Sequence, residues 1–222
     1  MTIHVNNINL YYEKAGCGPP LLMLHGNGES HKIFRRAMKR LGESFTVYAI
    51  DSRGHGKSSR AKELHYADMA EDVAQFIEKL GLEKPMLYGF SDGGIIGLLL
   101  AIAHPGLLSR MAISGANITP EGAGDNWQRM LKAIYFITRG SRWRLMLYEP
   151  NIAAEELARI DMPVLVLAGE KDIIKEEHTR AIAGAIPGAR LRILPGEGHA
   201  SYVLSNEKLC REIGPFFEEG LI

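Results

Sequence analysis

The chain alternates between short apolar runs and longer amphipathic segments, with glycine-containing or polar turns between them. Runs that are apolar at nearly every position predict strands covered on both faces, as in a parallel sheet. These strands are Pro20–Leu24, Phe45–Ile50, Pro85–Phe90, Arg110–Ser114, Pro163–Ala168 and Arg190–Leu194. Segments with apolar residues at 3.6-residue spacing predict helices. The helices are His31–Leu41, Tyr66–Leu80, the segment after Ser91, Lys175–Ile186 and Asn206–Glu219.

The N-terminal residues follow a different pattern. Thr2–Val5 and Ile8–Glu13 alternate apolar and polar residues on either side of Asn6-Asn7, which predicts an antiparallel hairpin. The remaining strands alternate with helices, and this order predicts an α/β fold: a mostly parallel, twisted sheet with helices on both faces. In such sheets, reactive groups lie in loops beyond the carboxyl ends of the strands.

Length and composition are those of one globular domain, residues 1–222. The alternation of strands and helices is interrupted only at residues 118–161, which are rich in aromatic and basic side chains. Lys plus Arg and Asp plus Glu number 26 each, so the formal net charge is zero. We therefore expect neither a nucleic acid nor a membrane as partner, and the sequence carries no signal for an oligomeric state.

Localisation signals are sparse. The first residues have no basic start and no apolar run, so we expect no signal peptide. The longest apolar run, Ile95–Ala103, is far shorter than the ~20 residues of a membrane span. Cys17 and Cys210 form no spaced motif. These features favour a reducing, cytoplasmic setting.

The turn after the strand Pro85–Phe90 carries the strongest chemical signal. Gly89-Phe90-Ser91-Asp92-Gly93 fits the pattern G-x-S-x-G between an apolar strand and an apolar helix. A strand that reverses sharply into a helix strains its central residue, so the neighbouring positions must lack bulky side chains. The strain exposes the Ser91 hydroxyl at a helix N-terminus, where partial positive charge favours a developing anion.

A serine hydroxyl becomes a good nucleophile when a base removes its proton, and histidine is the usual base. His199 follows the last predicted strand, and Asp172 follows the strand before it. The order Ser91, Asp172, His199 is the one expected for this architecture. Asp172 taken alone is more typical of a helix N-cap near Ile173–Lys175, and Glu170 is an alternative acid. His199 alone is as typical of an exposed loop histidine.

A tetrahedral intermediate also needs hydrogen-bond donors for its oxyanion. The backbone N–H groups of Asp92 and of Asn27, in the loop after the first buried strand, are the candidates. His25 and His55 lie in glycine-rich loops, and we expect them to hydrogen-bond backbone. No histidine spacing fits a metal site, and no glycine-rich phosphate-binding motif is present, so we expect neither a metal nor a cofactor.

These motifs together resemble the α/β-hydrolase family, and the turn Gly-Phe-Ser-Asp-Gly-Gly is similar to that of small esterases, including the biphenyl-hydrolase-like group. The matching segments are His25–Gly28, Asp51–Ser58, Gly89–Gly93, Pro163–Asp172 and Gly196–His199. The resemblance implies Ser91 as nucleophile, His199 as base and Asp172 as orienting acid, with Asn27 and Asp92 as oxyanion donors. Family members usually carry a larger helical cap than Ile118–Asp161, so we expect a reduced cap of two or three short helices.

The cap segment offers candidate substrate contacts. Its apolar residues at helical spacing are Trp127, Met130, Leu131, Ile134 and Tyr135, and packing onto the domain body explains them equally well. The basic residues Arg139, Arg142 and Arg144 either form a solvated face or bind an acidic substrate group. Asp92 either favours the helix N-terminus or pairs with a cationic amine on the substrate.

Three functions follow from these residues. The first is a serine esterase that cleaves small carboxylic esters through an acyl-enzyme. The second is cleavage of an enol-lactone, a thioester or an activated carbon–carbon bond by the same three residues. The third is a sensor that retains the fold to bind a small ligand.

Overall fold

The computed structural model describes residues 1–204 and 207–220. Eight strands form one sheet: β1 Thr2–Val5, β2 Ile8–Ala15, β3 Pro20–Leu24, β4 Thr46–Ile50, β5 Met86–Phe90, β6 Arg110–Ser114, β7 Val164–Lys171 and β8 Arg190–Gly198. The helices are α1 Arg35–Leu41, α2 Tyr66–Lys79, α3 Asp92–Ala103, α4 Asp125–Thr138, α5 Ser141–Tyr148, α6 Ala154–Leu157, α7 Glu176–Ala185, α8 Ser201–Leu204 and α9 Glu207–Glu218.

The strand order is β1-β2-β4-β3-β5-β6-β7-β8. The first two contacts, β1 with β2 and β2 with β4, are antiparallel, and the other five are parallel. The predicted hairpin is confirmed, and both of its turn residues, Asn6 and Asn7, have positive φ angles of 42° and 62°. Asparagine tolerates this conformation, which the tight turns between antiparallel strands require.

Helices cover both faces of the sheet, as the sequence predicts. Leu22 and Leu24 of β3 face a core built with α2, α3 and α7, whereas Leu21 and Met23 face a second core built with α1 and α9. This alternation buries every residue of β5 and all but the first residue of β3, β4 and β6, which explains why those strands are apolar at successive positions. Among the described residues, no helix is both long and apolar enough to cross a lipid bilayer.

Strands β7 and β8 differ from the prediction. The sequence predicts loops at Gly169–Asp172 and Pro195–His199, yet β7 continues to Lys171 and β8 to Gly198. The two strands stay paired past the rest of the sheet, with Lys171 opposite Gly198 and a register shift near Gly169. Because β8 is an edge strand, Pro195 can lie in it without leaving a neighbouring carbonyl unpaired.

Two predicted helices are also modified. His31–Leu41 divides into a 3₁₀ turn, His31–Phe34, and the helix α1. The predicted helix Asn206–Glu219 corresponds to α9, preceded by the separate short helix α8, and Asn206 lies outside the described residues. Neither of these two differences concerns residues of the sheet strands.

Residues 118–161, which we call the cap segment, connect β6 to β7. They contain α4, α5 and α6 together with a 3₁₀ turn at Pro120–Gly122. The expectation of two or three short helices is right in number, although α4 has 14 residues. Backbone hydrogen bonds from Gly124 N–H to the Ile173 carbonyl (2.8 Å) and from Lys175 N–H to the Gly122 carbonyl (2.9 Å) attach the segment to the loop after β7.

Candidate active site

The turn between β5 and α3 has the strained geometry that the sequence predicts. Ser91 adopts φ 53° and ψ −115°, a conformation that L-residues with a side chain rarely hold. A Cβ atom at Gly89 would lie 2.3 Å from the Gly93 carbonyl oxygen, and one at Gly93 would lie 2.2 Å from the Leu24 carbonyl oxygen. The Ser91 N–H donates to the Ser114 carbonyl at 2.7 Å. Close backbone packing therefore holds the turn in place.

Ser91, His199 and Asp172 form one hydrogen-bonded row. His199 Nε2 lies 3.1 Å from Ser91 Oγ, and His199 Nδ1 lies 2.6 Å from Asp172 Oδ1. A carboxylate only accepts hydrogen bonds, so Nδ1 carries the proton and Nε2 is left to accept from the Ser91 hydroxyl. The three side chains come from the ends of β5, β7 and β8. Parallel strands bring those ends to one edge of the sheet.

Asp172 bonds His199, but it does not cap a helix, because α7 begins at Glu176 and has its N-cap at Lys175. The Asp172 Oδ1 accepts from His199 and also from the Ile174 N–H at 2.9 Å, and its Oδ2 accepts from the Gly169 N–H at 3.4 Å. The backbone bonds fix the carboxylate, which then orients the imidazole. The alternative acid Glu170 is exposed and accepts instead from the Gly196 N–H at 2.7 Å.

Two further residues confine the His199 ring. The Phe90 ring lies with its centre 5.0 Å from that of the imidazole. Gly115, at φ 59°, also lies against the ring, because a Cβ atom there would be 2.7 Å from His199 Cε1. Any side chain at position 115 would displace the imidazole. Glycine is therefore required here both for the close approach of the His199 ring and for the positive φ angle.

Asn27 and Asp92 are joined through their side chains. Asn27 Nδ2 donates to Asp92 Oδ2 at 2.9 Å, and the buried Tyr66 hydroxyl hydrogen-bonds the same carboxylate. Burial raises the pKa of Asp92 to about 6, against the lowering effect of these two hydrogen bonds. The link fixes the loop after β3 beside the first turn of α3. The predicted oxyanion donors therefore sit on adjoining backbone segments.

Glu29 is a second acid of this site, and the sequence analysis did not single it out. Its Oε2 accepts from the Gly26 N–H at 3.0 Å, beside the Ser91 side chain. Burial raises the pKa of Glu29, while the Gly26 hydrogen bond and the charge of His199 lower it. An acidic side chain two residues after Asn27, in a loop that must approach the nucleophile, is the signal that could have identified it.

His25 and His55 have the structural positions that the sequence predicts. His25 Nδ1 bonds the Gly26 carbonyl at 2.7 Å and its Nε2 accepts from the Ser52 N–H at 3.1 Å, while His55 Nδ1 bonds the Arg53 carbonyl at 3.0 Å. Burial lowers the pKa of His25 to about 4 and also lowers the pKa of His55. A pKa of about 4 leaves His25 neutral at pH 7, and its two hydrogen bonds join the loop after β3 to the loop after β4.

A cavity of about 390 Å³ opens above the Ser91 hydroxyl, between the sheet edge and the cap segment. Of the five cap residues predicted to contact substrate, Trp127 and Leu131 line it. Within the described residues, Met130, Ile134 and Tyr135 are not part of the lining. One helix face is wider than the cavity wall, so helical spacing alone selects too many residues. Several lining residues were not predicted, among them Tyr66, Trp143, Met146 and Glu149.

Arg139, Arg142 and Arg144 of the cap segment occupy different environments. Arg142 lines the cavity, and its backbone carbonyl accepts from Asn27 Nδ2 at 3.4 Å. The guanidinium of Arg139 lies over the Tyr135 and Phe136 rings, and that of Arg144 over the Tyr148 ring. Only Arg142 among these three is placed to meet a bound molecule. The described residues contain no group of three His, Cys, Asp or Glu side chains arranged to hold a metal ion.

A family profile and a bacterial relative identify the family of this chain. A family profile described as "alpha/beta hydrolase fold" matches residues 19–141, more than half of the chain. The AB hydrolase superfamily protein YisY of Bacillus subtilis is 38% identical, over 95% of this chain and 96% of its own length. The chain belongs to the α/β-hydrolase family. This membership supports a hydrolase activity.

Other relatives agree with that assignment. The human serine hydrolase BPHL is 30% identical over 89% of this chain and 79% of its own length. Among solved structures, an esterase from Exiguobacterium antarcticum superimposes with a TM-score of 0.86 at 22% identity, covering 98% of this chain and 99% of that one. The prediction from the sequence motifs is confirmed: the chain is an α/β-hydrolase, and a biphenyl-hydrolase-like protein is among its relatives.

Proposed function

We propose that the protein is a serine hydrolase that cleaves carboxylic esters of small molecules through an acyl-enzyme. The observation that carries the proposal is the row of Ser91 Oγ, His199 and Asp172, with separations of 3.1 and 2.6 Å. A serine hydroxyl on a strained turn, with a base and an orienting carboxylate in hydrogen-bonded sequence, is the arrangement that acyl transfer requires. The free thiols of Cys17 and Cys210 support our further proposal of a reducing, cytoplasmic setting.

In the first half of the reaction, Ser91 Oγ attacks the ester carbonyl carbon as its proton passes to His199 Nε2. Asp172 stabilises the resulting imidazolium. The oxyanion accepts hydrogen bonds from the backbone N–H groups of Asn27 and Asp92. The carbon–oxygen bond of the alcohol then breaks, His199 returns its proton to the departing alcohol, and the acyl group remains on Ser91.

In the second half, His199 removes a proton from a water molecule, whose oxygen attacks the acyl carbon. Collapse of the second tetrahedral intermediate breaks the bond to Ser91 Oγ. The proton on His199 returns to the serine oxygen, and the carboxylic acid leaves. Reactants and products balance as ester plus water to acid plus alcohol, and no other reagent is consumed.

The cavity supports a small substrate with an apolar part. A volume of about 390 Å³ is at the small end of the range for ligand pockets, and Trp127, Leu131, Trp143 and Met146 supply an apolar wall. Glu29 and Asp92 lie beside the nucleophile, and Arg142 lies farther along the lining. Both recognition hypotheses stay open to test: a substrate amine at Asp92 and an acidic group at Arg142.

The decisive experiment combines a serine-directed fluorophosphonate label with a panel of p-nitrophenyl esters. We expect the wild-type protein to be labelled and to turn over short esters, and Ser91→Ala to lose both properties. Ser201→Ala is a matched control, because that hydroxyl donates to Glu197 outside the row. Absence of labelling and turnover in a folded wild-type protein that still binds small ligands would favour the sensor.

A second panel separates the bonds that this chemistry can break. Enol-lactones, thioesters and activated carbon–carbon substrates are compared with esters of matched size. If kcat/KM for any of these classes exceeds that of every ester, ester cleavage is a side reaction. Esters of amino acids, tested against uncharged analogues in wild type and Asp92→Asn, measure the contribution of a substrate amine.

A further inference from the structure

The outward surface of the cap segment is unusually apolar for this protein. Six large apolar side chains are exposed among the described residues, and the other two are Met1 and Leu204. The four in the cap are Met130 (40% exposed), Phe136 (73%), Ile137 (80%) and Tyr148 (59%). Three of them lie on the solvent-facing half of α4. Clustering of exposed apolar groups on one surface marks an interaction site more often than scattered exposure does.

The same surface is cationic. Residues 125–148 contain five cationic side chains and one acidic one, although the whole chain has 26 of each sign. Arg129, Lys132, Arg139 and Arg144 are exposed, and none of them forms an ion pair with another described residue. We call these four cations together with Met130, Phe136, Ile137 and Tyr148 the outer cap face.

The apolar and cationic groups of the outer cap face are interleaved. The Arg139 guanidinium carbon lies 5.4 Å from the Phe136 ring centre, and that of Arg144 lies 6.0 Å from the Tyr148 ring centre. On α4 itself, Arg129 and Lys132 flank Phe136 on the exposed side. Aromatic and aliphatic tips among long cationic side chains are typical of helices that lie in a membrane interface.

The two helices are held to the domain by few buried residues. Leu131 is the only buried residue of α4, and Leu145 is the only one of α5. Their inward faces form the cavity wall through Trp127, Leu131 and Trp143. Contact with the outer cap face therefore acts on the elements that border the cavity.

We propose that the outer cap face docks the protein onto an anionic lipid surface. Phe136 and Ile137 enter the headgroup region while the four cations pair with lipid phosphates. The face is the outside of a helix, and its convex shape suits a bilayer, which deforms around it, better than a protein, which must offer a matching groove. An isologous contact with a second copy would bring the same cations against each other.

This proposal departs from the expectation drawn from zero net charge, because the charges are segregated in the fold. The protein lies on the surface and does not span it. The inference concerns binding and does not rest on the proposed ester cleavage. Failure of vesicle binding would leave labelling of Ser91 unaffected, and loss of labelling would leave vesicle binding unaffected.

Vesicle sedimentation tests the proposal directly. The probes are vesicles of phosphatidylcholine alone and vesicles mixed with phosphatidylglycerol. We expect binding to the mixed vesicles that weakens as salt is raised, and binding to the neutral vesicles that is at least tenfold weaker. Both tryptophans of the chain, Trp127 and Trp143, lie in α4 and α5, so intrinsic fluorescence reports docking independently.

Two variants remove the two components. Replacing Arg129, Lys132, Arg139 and Arg144 by Gln should weaken binding to mixed vesicles by on the order of a hundredfold or more. The double variant Phe136→Ser, Ile137→Ser should weaken it by about tenfold or more. The control replaces Arg35, Arg36, Lys39 and Arg40 of α1 by Gln, which removes the same charge from an exposed helix surface that has no exposed large apolar side chain.

Each result has a defined consequence. Equal loss of binding in the α1 control would overturn the proposal in favour of non-specific attraction to net charge. Absence of binding to mixed vesicles by wild-type protein also overturns it. If light scattering shows a dimer that Phe136→Ser, Ile137→Ser abolishes, the face is a contact between copies instead. Circular dichroism and turnover of a water-soluble ester verify that each variant is folded.

Discussion

The carboxyl ends of the strands and the cap segment border one cavity, but they are built in different ways. At the sheet edge, Ser91, Asp172 and His199 sit at strand ends and are held by backbone hydrogen bonds and buried neighbours. In the cap, α4 and α5 each bury a single leucine. The strand ends therefore hold Ser91, Asp172 and His199 at fixed distances, whereas the loosely packed cap helices can adjust their positions.

The largest expected effect tests the rigid part. Asp172→Asn keeps the size of the side chain but removes the carboxylate charge that lies 2.6 Å from His199 Nδ1. We expect kcat for ester hydrolysis to fall by on the order of 10⁴-fold, with little change in KM. Glu170→Gln is the control and should keep most of the activity, because Glu170 bonds Gly196 and not His199. Equal losses in the two variants would contradict the assignment of the acid.

A backbone test follows. Gly93→Ala would place a Cβ atom 2.2 Å from the Leu24 carbonyl oxygen, between α3 and β3. We expect the free energy of unfolding to fall by at least about 3 kcal/mol, or the protein to fail to fold, because neither backbone can move away. Gly184→Ala in α7 is the matched control. It meets nothing within 4 Å and should stabilise by about 0.5–1 kcal/mol. Urea denaturation measures both.

The buried carboxylate of Asp92 gives a pH test. Its pKa of about 6 in the folded state lies above the ordinary value of 3.8. The folded state therefore retains a proton that the unfolded state releases, and stability falls as pH rises from 4 to 6. Asp92→Asn should remove the contribution of Asp92 to this dependence and gain about 3 kcal/mol at pH 7.

The measurement is the free energy of unfolding at pH 4 to 8. Asp161→Asn, at an exposed aspartate of the cap segment, is the control and should follow wild type. A wild-type stability that rises from pH 4 to 6 and is matched by Asp92→Asn would show that the Asp92 carboxylate is ionised at little cost.

A pair of leucines compares the two regions directly. Leu98 in α3 and Leu131 in α4 are both buried, at 0% and 2% exposure. We expect Leu98→Ala to lower the free energy of global unfolding by about 2–5 kcal/mol. We expect Leu131→Ala to lower it by less than about 1 kcal/mol, because the cap opens before the rest of the domain. Hydrogen exchange of α4 amides should be faster in Leu131→Ala, and equal global losses would refute separate opening.

The smallest effect lies within the cap. Trp127 lines the cavity and Met130 does not, although both lie on α4. Trp127→Ala should raise KM for apolar esters by about tenfold, the value of a partly buried aromatic contact. Met130→Ala should change KM by less than about twofold. Steady-state kinetics on esters of increasing chain length measures both KM values. An equal change in the two variants would show that Met130 also contacts substrate.

The same contrast explains what the sequence could predict. The ends of the central strands and the turn at Ser91 follow from local patterns, because an apolar run, a glycine pair and a chemical group are adjacent in the chain. The continuation of β7 and β8 was missed because pairing at a sheet edge tolerates Gly and Pro. Cavity residues such as Trp143 and Glu149 depend on how helices pack across long sequence separations. Glu149 meets His65 at 2.6 Å, a contact for which neither segment carries a local signal.

The position of the cap segment has a consequence for how such enzymes diversify. It connects β6 to β7, which are adjacent and hydrogen-bonded at the ordinary spacing of about 4.8 Å. An excursion between two anchored neighbours can grow, shrink or be exchanged without altering the distance between its ends. The cap segment above Ser91 can therefore be replaced as a unit. Replacing residues 118–161 by the corresponding segment of a relative should change the cavity wall and leave the hydrogen-bonded row of Ser91, His199 and Asp172 intact.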